Sequence, residues 1–121
     1  MQVRRLDHVQ LAMPEGREAE ARAFYEGVLA IPEVAKPPHL AARGGCWFER
    51  GDLKVHLGVD PHFRPATKAH PALVVDDLAG FVAAATAAGH RVAHDQPLAG
   101  YDRAYVDDPF GTASEQLEPL A

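Results

Sequence analysis

An α+β fold made of two strand-helix-strand-strand-strand halves is predicted by three features of the sequence. Short segments alternate apolar and polar residues with the period of a strand, two longer segments carry apolar stripes with the period of a helix, and the order of these segments occurs twice. Overlaying the halves sets LDHVQLAM on KAHPALVV and WFERGDLKVHLGV on YVDDPFGTASEQLEP, so an internal duplication is the simplest account. The expected organisation is a single domain with modules spanning about 1–60 and about 66–121.

Each element follows from its residues. Arg4 to Met13 reads as a strand with Val9, Leu11 and Met13 on one face and His8, Gln10 and Ala12 on the other; Pro14 stops it. From Glu15 the period becomes helical, with Ala21, Phe24, Tyr25, Val28 and Leu29 forming a stripe opposite Arg17, Glu18, Arg22 and Glu26. Pro32, Pro37 and Pro38 oppose regular helix, so an extended segment and loop are expected there. Cys46 to Glu49 and Leu53 to Val59 form a hairpin turned by Arg50, Gly51 and Asp52.

After a connector containing Pro61 and Pro65, Ala69 to Val75 is a strand ending at Asp76 and Asp77, either of which can cap the next helix. That helix, Leu78 to Ala88, presents Leu78, Phe81, Val82 and Ala85 and ends at Gly89. Arg91 to Ala93 is a short strand and Gln96 to Gly100 a loop. Tyr101 to Val106 and Thr112 to Glu118 are strands joined by the turn Asp108-Pro109-Phe110-Gly111, whose aspartate is expected to bind nearby backbone amides.

Composition narrows the function. The chain has 121 residues, 47% hydrophobic and 24% charged, enough for one compact core. A net charge of -5, with no basic stripe, disfavours nucleic acid as a partner. One cysteine, Cys46, excludes an internal disulfide and a cysteine-rich zinc site and fits a reducing cytoplasm. The segment MQVRRLDHV has no apolar run of signal-peptide length, and no stretch is long enough to span a bilayer, so no membrane partner is expected.

The unusual count is histidine, seven in all. In the strand Leu53 to Val59, Val55 and Leu57 share one face and Lys54, His56 and Gly58 the other. If the apolar faces cover the helices, His8, His56 and His70 all project from the opposite side of their sheets. The overlay puts His8 on His70 and His56 on Glu115. Two curled sheets related by a pseudo-twofold axis would bring these four residues together. Neutral imidazoles and a carboxylate suit a divalent first-row metal, with Zn, Ni, Co, Mn and Fe all open.

The ordered motifs LDHVQLAM, ARAFYEGVLAIP, LKVHLGV, KAHPALVVDDL and DDPFGTASEQLEP span nearly the whole chain and resemble the vicinal oxygen chelate superfamily. That superfamily includes glyoxalases, extradiol dioxygenases, fosfomycin-resistance transferases and bleomycin-resistance proteins. The resemblance implies paired βαβββ modules forming a curled mixed sheet, the glyoxalase-like fold, and a homodimer with modules paired within or between chains. It matches His8, His70 and Glu115 to the two-histidine-one-carboxylate positions and His56 to a fourth ligand position. Two departures stand out. The fourth position is commonly a carboxylate in glyoxalases, and Ser114 and Gln116 occupy a face that is usually apolar, for which a bulge or an altered partner surface would account.

The leading expectation is a metal-dependent glyoxalase-like lyase or isomerase acting on a small oxygenated substrate, with Glu115 as the base because no second carboxylate is in view. Phe48, Arg64, Tyr101, Arg103 and Tyr105 are the candidate substrate contacts; core packing and exposed ion pairing are the plain alternatives for them. An Fe(II) dioxygenase built on His8, His70 and Glu115 is a second enzyme reading, although His56 would occupy a position needed by oxygen or a catechol. A non-catalytic binder of an antibiotic-like ligand is the alternative from another class. His39, His62, His90 and His94 are assigned to the surface, Glu118 to solvent and Cys46 to the core.

Overall fold

The computed structural model describes residues 1–121 and divides them into two compact units, Met1–Phe63 and Arg64–Ala121. In the first run β1 (Val9–Met13), α1 (Glu18–Tyr25), β2 (Glu33–Val34), α2 (Pro38–Ala41), β3 (Cys46–Arg50) and β4 (Leu53–Val59). In the second run β5 (Ala72–Val74), α3 (Leu78–Ala87), β6 (Val92–Ala93), β7 (Tyr101–Asp107) and β8 (Ala113–Pro119). Each unit is a βαβββ module with one mixed four-stranded sheet, ordered β1-β4-β3-β2 and β5-β8-β7-β6. The fold is α+β and glyoxalase-like, and no helix is long and apolar enough to cross a membrane.

In the first unit α1 buries Ala21, Phe24 and Tyr25, and Tyr25 stacks on Phe48 of β3 with ring centroids 5.5 Å apart. Met13, Cys46, Phe48, Val55 and Leu57 complete this core. Burying each larger side chain is worth about 1.5–3 kcal/mol, so this face settles which way β3 and β4 turn. The strand expected from Arg4 begins only at Val9. Val9 pairs with Val55, so the start of β4 at Leu53 leaves residues before Asp7 without a ladder.

The first helix begins at Glu18, after Gly16 takes a φ of +79°, and ends at Tyr25, sooner than the apolar stripe implies. Val28 and Leu29 still bond back to the Phe24 carbonyl, and Leu29 is buried in the turn. The proline-rich stretch also departs from expectation, because Pro38 opens the one-turn helix α2. Proline fits there since the first helical N–H needs no intrahelical partner.

In the second unit α3 packs on β6, β7 and β8. Asp77 caps it, its Oδ1 accepting from Gly80 N at 3.0 Å, and Gly89 ends it with a φ of +84°. Glu118 is not left to solvent as expected: its Oε1 accepts from Leu78 N at 2.9 Å, satisfying a first-turn amide of the same helix. Asp108 Oδ1 accepts from Phe110 N at 2.8 Å and Thr112 N at 2.9 Å, closing the β7–β8 turn.

No bulge accommodates Ser114 and Gln116. β7 and β8 pair without interruption from Tyr101↔Pro119 to Asp107↔Ala113, and both polar side chains lie in the core. The Gln116 amide meets Ser114 Oγ at 2.7 Å; with its nitrogen turned to the sheet it also donates to the Ser114 and Ala104 carbonyls at 3.2 Å. A buried amide is tolerated because its hydrogen bonds are made locally.

Candidate functional site

Strand alternation places His56 on the face of β4 away from the core, between Val55 and Leu57, which point into it. Its neighbours are Gln10 across the parallel β1–β4 pair and Trp47 across the antiparallel β3–β4 pair. Trp47 stacks on the His56 ring with centroids 4.0 Å apart and planes 5° from parallel. The His8 ring stacks on it at 4.4 Å and 22°. Since β4 lies between β1 and β3, these rings cover opposite faces of His56, whose side chain is 6% exposed.

The edge of the same imidazole meets a carboxylate: His56 Nε2 is 2.6 Å from Glu49 Oε2. His8 Nδ1 is 3.0 Å from Asp7 Oδ2, and Lys54 Nζ lies 3.7 Å from the other Asp7 oxygen. The His8 hydrogen bond first, and then the Lys54 charge, hold Asp7 below the ordinary carboxylate range. An oxygen holding one ring nitrogen leaves the other directed elsewhere, as in the outer support of histidines that bind metals.

The second unit repeats the register. His8 stands two residues before Gln10, the partner of His56, and His70 stands two residues before Ala72, the partner of Glu115. Trp47 opposite His56 corresponds to Tyr105 opposite Glu115. His70 Nδ1 donates to the Lys68 carbonyl at 2.9 Å, and Nε2 lies 3.2 Å from Glu115 Oε1. A carbonyl only accepts, so Nδ1 carries a hydrogen, and Nε2 is the ring nitrogen turned to the carboxylate.

Glu115 has a second partner. Arg103 Nη1 donates to its Oε2 at 2.9 Å and to Tyr105 Oη at 3.2 Å, while Arg103 Nε donates to the Gln96 carbonyl at 3.0 Å. The Glu115 hydrogen bond is the main cause that raises the Arg103 pKa above its ordinary value. Tyr105 sets its ring edge-on to His70 at 5.1 Å, and a 220 Å³ pocket borders both residues.

The site residues expected from sequence therefore fall into separate groups. His8 and His56 are together in the first unit, and His70, Glu115, Arg103 and Tyr105 in the second. Within neither unit does a group of three or more His, Cys, Asp or Glu side chains gather around a metal position. Arg64 is exposed, Tyr101 begins β7 half-buried, and Phe48 is fully buried in the core beside Tyr25. Sequence reasoning missed Trp47 and Glu49. A two-residue Gly51-Asp52 turn sets Arg50 opposite Leu53, and counting back from it puts Trp47 opposite His56 with Glu49 on the same face.

Two βαβββ modules, with histidine and carboxylate pairs at equivalent registers, define the vicinal oxygen chelate architecture. The chain is similar to a glyoxalase family protein from Bacillus anthracis, with 41% identity, 99% of this chain and 98% of that chain covered, and a TM-score of 0.91. It thus belongs to the glyoxalase family of the vicinal oxygen chelate superfamily.

The fold is shared with a glyoxalase/dioxygenase from Nostoc punctiforme, at 21% identity, 98% and 92% coverage and a TM-score of 0.79. It is shared also with TnmS3, an antibiotic binding protein from Streptomyces sp. CB03234, at 17% identity, 99% coverage of both chains and a TM-score of 0.71. Neither a family model nor a curated protein matches the sequence.

Proposed function

We propose that this protein is a metal-dependent lyase or isomerase of the glyoxalase type that acts on a small oxygenated substrate, with His8, His56, His70 and Glu115 as the metal ligands. The observation that carries the proposal is the His70–Glu115 pair, an imidazole nitrogen and a carboxylate oxygen 3.2 Å apart, with Nδ1 already committed to a carbonyl. The donor chemistry fits Zn, Ni, Co, Mn or Fe, and the carboxylates beside His8 and His56 supply the outer support such ligands need. A divalent ion held by these residues would supply Lewis-acid stabilisation to the substrate oxygens.

The chain's own residues do the proton work. Glu115 is buried, with Oε2 held by Arg103; Oε1, beside His70 Nε2, is the oxygen that takes a proton from the carbon next to a substrate carbonyl. Arg103 thereby positions the base as well as bordering the substrate. Glu49, 2.6 Å from His56, is a second carboxylate that the sequence had not revealed; the proton taken by Glu115 is returned by Glu115 itself. Tyr105, Tyr101 and Arg64 are the remaining candidate substrate contacts, and the proposed assembly is a homodimer. A non-catalytic small-molecule binder is the second reading, favoured by the engagement of Glu115 with Arg103 and His70 at once.

Metal content of protein purified without a histidine tag tests the ligand set. Stoichiometric metal in the parent, lost in His8→Ala and in Glu115→Gln, is the expected result; unchanged metal in both variants rejects the assignment. Turnover of hemithioacetals supports the isomerase, ring cleavage of catechols replaces it with the dioxygenase, and tight aromatic binding without turnover replaces it with the binder.

A further inference from the structure

The first unit holds a second recess. A 150 Å³ pocket beside Trp47 is lined by Gln10, Lys36, Arg43 and the apolar residues Leu40, Leu57 and Val59. Two lining residues are cationic and none is acidic, in a chain of net charge -5. Lys36 Nζ donates to the Gly44 carbonyl, and Glu18, whose Oε2 accepts from Gly45 N at 3.0 Å, lies close enough to feel the Lys36 charge. Lys36 is therefore partly compensated. Arg43 is exposed, and its guanidinium has no ion pair or hydrogen bond within the chain. The two uncharged backbone positions in the wall, Gly44 and Gly58, keep the recess open; a Cβ at Gly58 would stand 2.7 Å from Gln10 Nε2.

We infer that this pocket is a subsite for the carboxylate of the substrate, with Arg43 as the principal anchor and the planar or apolar body of the molecule set against Trp47 and Leu40. A guanidinium recognises a carboxylate through two parallel hydrogen bonds, and the Gln10 amide adds a neutral donor at the same wall. The apolar lining selects an organic carboxylate over an inorganic oxyanion. Trp47, which lines the pocket, also stacks on His56, so one ring links the pocket to the imidazole. The inference rests on the proposed function for its meaning as a substrate subsite and names the substrate class as a small organic carboxylate.

Trp47 is the only tryptophan, so its emission reports the pocket directly. Benzoate titrated into the full chain should give a saturable change in that emission, whereas benzamide and inorganic phosphate should bind at least tenfold more weakly. Arg43→Gln should weaken benzoate at least tenfold, and Lys36→Met by a smaller factor, with the melting temperature and metal content of Arg43→Gln unchanged. Chelator-treated protein should bind benzoate as untreated protein does. Equal binding of benzamide, preference for phosphate, wild-type benzoate affinity in Arg43→Gln, or absence of a saturable change overturns the subsite. Failure of the metal assignment alone leaves benzoate binding and its dependence on Arg43 intact, so the two ideas fail separately.

Discussion

Removing the Asp108 carboxylate should cost this chain a large share of its stability, although the residue lies outside the proposed ligand set. Asp108 is 5% exposed, and one carboxylate oxygen accepts from both Phe110 N and Thr112 N, at 2.8 and 2.9 Å. Phe110 and Thr112 are buried too, so Asp108→Ala strands two amides with restricted access to water. A hydrogen bond to a charged acceptor is worth about 1.5–3 kcal/mol, which puts the loss at about 3–5 kcal/mol once some relaxation is allowed.

For a chain of this size that corresponds to a fall of roughly 10–20 °C in Tm. Asp108→Asn keeps an acceptor oxygen for both amides and should cost only about 1–2 kcal/mol. Thermal and urea denaturation followed by circular dichroism measure both. Equal losses in the two variants, or a loss below about 1 kcal/mol in the alanine variant, would refute the account of the turn.

Other perturbations have equally defined outcomes. Gly45 has a φ of +80°, and a Cβ there would meet the Leu57 carbonyl oxygen at 2.1 Å. Gly45→Ala should therefore lower stability by about 2 kcal/mol or more, read from the urea midpoint. Burial pushes the Cys46 thiol up from 9.0 to about 11. Iodoacetamide should modify it only as the chain unfolds, and stability should fall as pH rises from 9.0 towards 11, because the unfolded thiol loses its proton first. Rapid labelling of the native chain at pH 8 would contradict the burial.

Most of the architecture was legible because strand and helix periods leave direct marks. Val9, Leu11 and Met13 against His8, Gln10 and Ala12 gave the β1 faces, and the duplicated order gave two mixed sheets. What escaped was set by pairing partners. β1 begins where its ladder to β4 does, at Val9 opposite Val55, and Pro38 starts a helix because of its position in the turn. At the candidate site, alternation correctly separated His56 from the core, but the hairpin register that adds Trp47 and Glu49 depends on a turn one residue shorter than expected. Arg103 was read as a substrate contact, and its bond to Glu115 involves residues far apart in sequence. Solvent exposure is the wrong expectation for Glu118 because its partner is the amide of Leu78 on another element.

Each sheet is closed by its first and last strands: Val9 pairs with Val55, and Ala72 with Glu115. Such distant pairings demand loop closure that the local β3–β4 and β7–β8 hairpins do not, which makes the β1–β4 and β5–β8 ladders the slower ones to form. During synthesis, the amino-terminal module has all its strands once Val59 clears the ribosome, well before the carboxy-terminal one has been translated. A nascent chain halted beyond Phe63 should already resist protease, whereas one halted ahead of β4 should be digested.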